Sequence, residues 1–182
     1  KYKADLLLLM VARLDPLKRH TMAFEAVKQL TDMGVDCKLI SIGEGPMRKE
    51  LQEWIDSRKM NDNIFLESFA PNTIDYFEAA DMLIHLSYSE ASSHVVKEAG
   101  MCSKTVIACK DVGDFNDYLK HGVNAFLANK ENPVAEVFSL LKMHYQDKSL
   151  LEQMGNALHQ EVVSSFSMEA VEKKYQQLLN SN

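Results

Sequence analysis

The sequence predicts an α/β protein in which a parallel sheet carries helices on both faces. Short apolar runs alternate with longer amphipathic segments along the chain, which is the pattern of parallel strands joined by helical crossovers. The first run, Leu6 to Ala12, is apolar at every position, as expected of a strand with both faces covered.

The elements of the first half follow from apolar periodicity punctuated by turn residues. Apolar side chains of the first helical segment recur on one face until Gly34, and Pro46 suits the first turn of a helix. In chain order we expect a strand at Leu6 to Ala12, a helix at 20–33, a strand at Cys37 to Ile42, a helix carrying Leu51, Trp54 and Ile55, a strand at Ile64 to Leu66 and a helix at Thr73 to Ala80.

The second half continues the alternation and ends in helices. Its strands are short apolar runs, whereas its last third places apolar residues at helical spacing. In chain order we expect a strand at Met82 to Leu86, a helix from about Ser93 to Cys102, a strand at Thr105 to Cys109, a short helix between Gly113 and Gly122, a strand at Ala125 to Leu127 and helices near 133–145, 148–164 and 168–179.

Composition narrows the class of protein. With 182 residues, 46% of them apolar and 25% charged, the chain fits one soluble globular domain over residues 1–182. A net charge of -6 argues against nucleic-acid binding, which needs a basic surface. Three cysteines without a CxxC pair favour a reducing compartment, so we expect a cytoplasmic protein. The sequence contains no transmembrane run.

In sheets of this kind, ligands bind beyond the carboxyl ends of the strands, where loops enter helices. The polar residues at those ends therefore form the candidate site, which we call the rim. Five loops contribute to it: Arg13 to Arg19, Gly43 to Gly45, Glu67 to Phe69, Ser87 to Ser93 and Lys110 to Asp114.

Cations and glycines at two of these loops suit an anion. Arg13, Lys18 and Arg19 follow the first strand closely, and arginine binds two oxygens of a diphosphate at once. The alternative is a solvated basic turn. Gly43 opens a turn whose free amides favour an anion, although a plain turn explains it equally well.

Two glutamates, Glu90 and Glu98, bracket the start of a helix. Ser92 or Ser93 caps that helix, so that a loop carboxylate and a helix carboxylate converge on one ligand. Carboxylates are strong acceptors for paired sugar hydroxyls. The alternative is that Glu98 pairs with Lys97 or another surface cation.

The histidines do not indicate a metal. Neither His85 nor His94 belongs to an HxxxH or HExxH motif, so the sequence predicts no zinc site. His85 lies in a strand pattern, and we interpret it as a packed residue.

Taken in order, these segments resemble the C-terminal, donor-binding half of a retaining glycosyltransferase of the GT-B fold, of the glycosyl transferases group 1 or family 4 type. That half is a Rossmann-like domain. The matching segments are VARLDPLKR, LISIGEGP, NIFLESF, AADMLIHLSYSEASSHVVKEAGMCSKTVIA, GDFNDYLKHGVNAFL and FSMEAVEKKY. The E-x7-E pair and the arginine–lysine pair are the most diagnostic.

The resemblance implies a role for each matched residue. Arg13 and Lys18 would hold the donor diphosphate, Glu90 would contact the transferred sugar, and Glu98 would hold the ribose hydroxyls. Arg13, Lys18 and Glu90 are the catalytic candidates. The candidates for donor binding are Gly43, the base-reading segment Glu67, Ser68 and Phe69, the helix-start residues Ser92, Ser93, His94 and Val95, and Glu98.

The resemblance also implies a reaction and partners. Sugar passes from a UDP- or GDP-linked donor to a carbohydrate or lipid-linked sugar, with retention and with no cofactor or metal, as in polysaccharide biosynthesis. We expect the N-terminal acceptor domain to be absent from this chain, the isolated chain to be nearly inactive, and the full-length enzyme to contact the inner membrane peripherally.

Departures from the family pattern leave two alternatives open. The family usually has glycine where Arg19, Ala91, Ser93 and Ser103 stand. A non-catalytic nucleotide-binding or interaction module would tolerate such changes, and a nucleotide-sugar epimerase uses the same fold.

Overall fold

The computed structural model of the chain describes residues 2–68 and 72–180. Within them, strands lie at Leu6–Val11 (β1), Cys37–Ile42 (β2), Ile64–Glu67 (β3), Met82–His85 (β4), Thr105–Cys109 (β5) and Phe126–Ala128 (β6). The α-helices are His20–Asp32 (α1), Arg48–Ser57 (α2), Ile74–Ala79 (α3), His94–Met101 (α4), Phe115–Tyr118 (α5), Val134–His144 (α6), Lys148–Phe166 (α7) and Met168–Asn180 (α8).

The strands form one parallel sheet in the order β3-β2-β1-β4-β5-β6. The winding direction reverses between β1 and β4, where Leu8 pairs with Met82 and Leu9 with Leu83. A crevice opens at the carboxyl ends of two such strands, because their connections leave on opposite faces of the sheet. The predicted α/β fold with a Rossmann-like sheet is confirmed.

The core lies on both faces of this sheet. Leu6, Leu8 and Leu9 of β1 are fully buried although neighbouring side chains point to opposite faces. All residues of β5 are buried as well. Helix α1 packs against α6, and α4 packs against α7. The continuous apolar runs therefore mark strands that helices cover on both sides.

Most predicted elements match the observed bounds within two residues, but one detail is wrong. Helix α2 begins at Arg48, so Pro46 lies in the turn before the helix and not in its first turn. The Met47 amide donates to the Leu14 carbonyl oxygen (3.0 Å), which fixes this turn against the loop after β1.

Helix α8 differs from the other long helices because none of its residues is buried. It follows α7 and contacts it. Across residues 2–68 and 72–180, the helices are all too short or too polar to cross a bilayer. The rim is therefore positioned by the elements from β1 to α7.

Candidate functional site

Two loops meet at the crevice between β1 and β4. After β1, Asp15 caps a 3₁₀ turn at Pro16–Lys18 by accepting a hydrogen bond from the Leu17 amide (3.0 Å). After β4, the chain runs through Tyr88 toward α4. The Tyr88 amide donates to the Leu17 carbonyl oxygen (2.8 Å) and joins the two loops. The side chains that these loops carry are thereby brought face to face.

Lys18, Glu90 and His85 form one cluster, which we call the inner cluster. Lys18 Nζ lies 2.5 Å from Glu90 Oε1, and His85 Nε2 lies 2.9 Å from the same oxygen. The side chains of Lys18 and Glu90 are 20% and 14% exposed. Water and salt therefore screen this ion pair less than they screen a surface pair.

Opposing effects set the pKa of Glu90. Burial raises this pKa, but the hydrogen bonds from His85 and Lys18 together lower it by more than burial raises it. The pKa therefore falls from an ordinary 4.5 to about 2. Glu90 is thus an ionised acceptor at neutral pH. Its carboxylate is held in place by two donors, Lys18 Nζ and His85 Nε2.

Arg13 and Glu98, which we call the outer pair, lie outside this cluster. The Arg13 side chain is 71% exposed, and its Nε lies 3.8 Å from Asp15 Oδ2. Glu98 is exposed on α4, and within the described part of the chain its carboxylate has no hydrogen bond or ion pair. The structure therefore brings Lys18 and Glu90 into contact, and within the described residues it shows no hydrogen bond or ion pair that joins Arg13 or Glu98 to them or to each other.

The alternative that Glu98 pairs with Lys97 is wrong. Lys97 Nζ lies 2.7 Å from Asp114 Oδ2, and the Ser92 hydroxyl donates to the same oxygen (2.8 Å). This contact ties the start of α4 to the loop after β5. It leaves the Glu98 carboxylate free to meet a ligand.

Ser93 caps the start of α4, and it is one of the two serines that the sequence offered for this role. Ser93 Oγ accepts a hydrogen bond from the Val96 amide (3.4 Å). The amides of His94 and Val95 precede that bond, in the turn where no intrahelical carbonyl is available. Because the helix dipole adds partial positive charge there, this end of α4 suits an anion.

A cavity of about 640 Å³ lies beside Glu98. His94 and Glu98, one helical turn apart on α4, line it together with apolar side chains from α3, α4 and α7. These apolar residues are Ile74, Phe77, Met101, Val162, Val163 and Phe166. The cavity offers an apolar wall next to a free carboxylate.

The glycines after β2 have a packing role. A Cβ at Gly43 would lie 2.0 Å from the Ala12 carbonyl oxygen, and one at Gly45 would lie 2.3 Å from the Leu14 carbonyl oxygen. Only glycine allows so close an approach of this turn to the loop after β1. The plain structural explanation therefore accounts for both glycines, and anion binding at Gly43 stays a prediction.

The base-reading segment is only partly described. Glu67 ends β3, its carbonyl oxygen accepts from the Gly43 amide (3.1 Å), and its carboxylate accepts from the Tyr2 hydroxyl. Ser68 is exposed at the strand end. Phe69 lies outside the described residues.

Arg19 does not join a cationic clamp. It is buried, and its Nη1 donates to the Lys130 carbonyl oxygen (2.5 Å). Its φ of 54° is the left-handed conformation that glycine adopts without strain, and Ser103 has the same φ. At these two positions of this chain, the backbone conformation is therefore one that glycine adopts more readily than arginine or serine.

Sequence reasoning missed the contact between His85 and Glu90. His85 is packed, as predicted, with its ring edge-on to Phe115 at a centroid distance of 5.7 Å. It also reaches Glu90 through Nε2. No motif spacing signals this contact, because it depends on how the loop after β4 folds back over the strand end.

The described residues bring together no group of three or more His, Cys, Asp or Glu side chains able to hold a metal ion. The charged side chains that the sequence assigns to a donor ligand here include Arg13, Lys18 and Glu90 of the rim and Glu98 on α4.

Residues 1–161 match the family described as glycosyl transferases group 1. The chain belongs to this family. A relative from Staphylococcus aureus (strain COL), poly(ribitol-phosphate) alpha-N-acetylglucosaminyltransferase, is 20% identical over 94% of this chain and 34% of its own length. A Campylobacter jejuni enzyme is 31% identical over 59% of this chain and 28% of its own. Its name is N-acetylgalactosamine-N,N'-diacetylbacillosaminyl-diphospho-undecaprenol 4-alpha-N-acetylgalactosaminyltransferase.

Solved glycosyltransferase structures share the fold. TarM superposes with a TM-score of 0.88 at 18% identity, over 99% of this chain and 36% of its own. The Anabaena protein HepE, solved with UDP and glucose, superposes with a TM-score of 0.85 at 21% identity, over 97% of this chain and 48% of its own. The chain thus spans between 28% and 48% of the length of these relatives. Its membership of the glycosyltransferase family, predicted from the sequence, is confirmed.

Proposed function

We propose that residues 1–182 are the donor-binding domain of a retaining glycosyltransferase, and that the rim binds a nucleotide-diphosphate sugar. The observation that carries this proposal is the arrangement at the β1–β4 crevice. The inner cluster, the start of α4 and the free Glu98 carboxylate follow these two strands, in a chain of the glycosyl transferases group 1 family.

In this proposal the donor lies across the rim. Lys18 and Arg13 bind the diphosphate together with the amides at the start of α4, and they stabilise the charge that builds on the leaving group. Glu98 accepts hydrogen bonds from the ribose hydroxyls, and the cavity beside it receives the nucleoside. Glu90 contacts the transferred sugar.

Transfer with retention breaks the bond between the sugar C1 and the diphosphate oxygen and forms a bond from C1 to the acceptor oxygen. The acceptor proton passes to the leaving phosphate. The acceptor, a carbohydrate or lipid-linked sugar, binds to an N-terminal domain outside this chain. HepE was solved with UDP, which supports UDP over GDP as the first nucleotide to test.

Calorimetry with UDP and with GDP tests the proposal. We expect UDP to bind, and Glu98→Ala to weaken that binding about 30-fold, since hydrogen bonds to a charged group contribute roughly 1.5–3 kcal/mol. Glu152→Ala is the matched control, because Glu152 is exposed on α7 and lines a different cavity. Failure of both nucleotides to bind would contradict the proposal and favour the interaction module. UDP binding that Glu98→Ala leaves unchanged would contradict the role given to Glu98.

A further inference from the structure

His85 is a buried strand residue that contacts an ionised carboxylate. It is the last residue of β4 and is 3% exposed, yet its Nε2 lies 2.9 Å from Glu90 Oε1. Lys18 Nζ meets the same carboxylate oxygen. Glu90 is thus held by a cation from one loop and by an imidazole from the strand beneath it.

Donor binding disturbs this arrangement if the proposed function holds, because Lys18 then serves the diphosphate. Glu90 would lose its cation, and a largely buried carboxylate without a partner is costly. A second donor that stays on Glu90 lowers the cost of releasing Lys18. His85 is placed to be that donor, since its ring is fixed by the strand and by Phe115.

We propose that His85 is a positioning residue that holds the Glu90 carboxylate toward the sugar while Lys18 turns to the donor diphosphate. The proposal rests on the proposed function. It explains why a buried histidine lies next to the glutamate that is proposed to contact the sugar.

Few other groups face Glu90. Ser87, from the loop after β4, makes a smaller contribution to lowering the Glu90 pKa, and a Cβ added at Gly113 would lie 3.1 Å from the Glu90 Cβ. Tyr118, from α5, is close enough that the Glu90 charge contributes to raising its pKa, after burial and Asp114. None of these three carries a positive charge that would replace Lys18.

A nearby buried histidine supplies the matched control. His20 is 1% exposed at the start of α1, and its two ring nitrogens have no partner within the described residues. His20→Phe removes a buried imidazole of similar exposure without touching Glu90. A general effect of replacing a buried histidine would appear in both His20→Phe and His85→Phe.

The first measurement follows the Glu90 side-chain carboxyl carbon by NMR between pH 3 and 6, without nucleotide. We expect no titration in the wild-type chain, in His20→Phe or in His85→Gln, whose amide places a donor near the position of Nε2. In His85→Phe, or in His85→Met if the former does not fold, we expect a titration inside this window. A flat profile in both donor-free variants would overturn the proposal.

The second measurement compares the Kd of UDP with that of UDP-glucose, used as the probe donor. We expect His85→Phe to weaken UDP binding, because Lys18 then leaves Glu90 at a higher cost, and to weaken UDP-glucose binding about fivefold more than that, the effect of one hydrogen bond. His85→Gln should restore both affinities. Equal losses for both ligands, or an unchanged ratio, would overturn the inference alone. If wild type binds no UDP, the proposed function fails and the inference with it.

Discussion

The inner cluster and the outer pair use the same kinds of residue in opposite ways. Lys18 and Glu90 are largely buried and contact each other, whereas Arg13 and Glu98 are exposed, and the Glu98 carboxylate has no partner within the described chain. A buried charge must be paired before a ligand arrives, and an exposed charge need not be. A ligand therefore adds contacts at the outer pair but has to exchange contacts at the inner cluster.

This difference separates effects on stability from effects on binding. Substitutions in the inner cluster, or in the turn that supports it, should reduce both the free energy of unfolding and the affinity for the ligand. Changes at the outer pair should reduce affinity alone, because surface charges contribute little to stability.

The largest effect is expected from Gly45→Ala, which displaces the loop that carries Lys18. The new Cβ would lie 2.3 Å from the Leu14 carbonyl oxygen and 2.7 Å from the Leu14 carbonyl carbon, both backbone atoms. We expect a loss of about 3 kcal/mol in the free energy of unfolding, measured by denaturant titration.

The control for that change is Gly34→Ala. A Cβ there meets nothing within 4 Å, and only its φ of +87° opposes the substitution. We expect it to cost about 1 kcal/mol. Equal costs for the two variants would show that the loop after β1 does not depend on the close approach of Gly45.

The next largest effect is a difference in stability between substitutions of Lys18 and of Arg13. Lys18→Met removes the cation from a largely buried carboxylate and should cost about 2 kcal/mol of unfolding free energy, between the values for surface and buried pairs. Arg13→Met should cost less than about 0.5 kcal/mol. Both variants should weaken UDP binding in calorimetry. A stability loss as large for Arg13→Met as for Lys18→Met would contradict the division into an inner and an outer group.

The pH dependence of stability tests the inner cluster in a separate way. The pKa of Glu90 in the folded chain is about 2, below its ordinary 4.5, so Glu90 stabilises the fold above pH 4.5 and this contribution is lost as the pH falls toward 2. In denaturant titrations, Glu90→Gln should flatten the decline in that window. Glu98→Gln should leave it unchanged.

His20 contributes a separate decline that both variants share. Burial lowers the pKa of His20 to about 4, so the unfolded chain binds a proton between pH 6.5 and 4 that the folded chain does not. Stability therefore falls over that range whatever stands at 90 or 98. Burial raises the pKa of Asp114, but hydrogen bonds from Lys97 and Ser92 lower it by more, so Asp114 adds a decline below pH 3.8 in every variant. A decline between pH 4.5 and 2 as steep in Glu90→Gln as in the wild-type chain would contradict the account of the inner cluster.

The sequence was a good guide to the sheet and to the rim. Continuous apolar runs such as Leu6 to Val11 predict buried parallel strands, and parallel strands direct their carboxyl ends to one edge. The loop residues that follow Val11 and His85 could therefore be placed together from the pattern alone. The capping role of Ser93 also follows from local chemistry.

The contacts inside the rim could not be predicted in the same way. The pairing of Lys18 with Glu90 spans 72 positions, and that of Lys97 with Asp114 spans 17. Both depend on loop conformations that no periodicity encodes. The sequence suggests that Arg19 is another cation of the rim. In the structure its backbone is left-handed and its guanidinium donates to the Lys130 carbonyl oxygen, so it does not join Arg13 and Lys18.

A crystal structure of this chain with UDP tests the central claim most directly. We expect Lys18 Nζ to leave Glu90 and bind a diphosphate oxygen, Glu98 to accept hydrogen bonds from the ribose hydroxyls, and His85 to remain on Glu90. UDP bound away from the crevice between β1 and β4, with the contact between Lys18 and Glu90 unchanged, would contradict it.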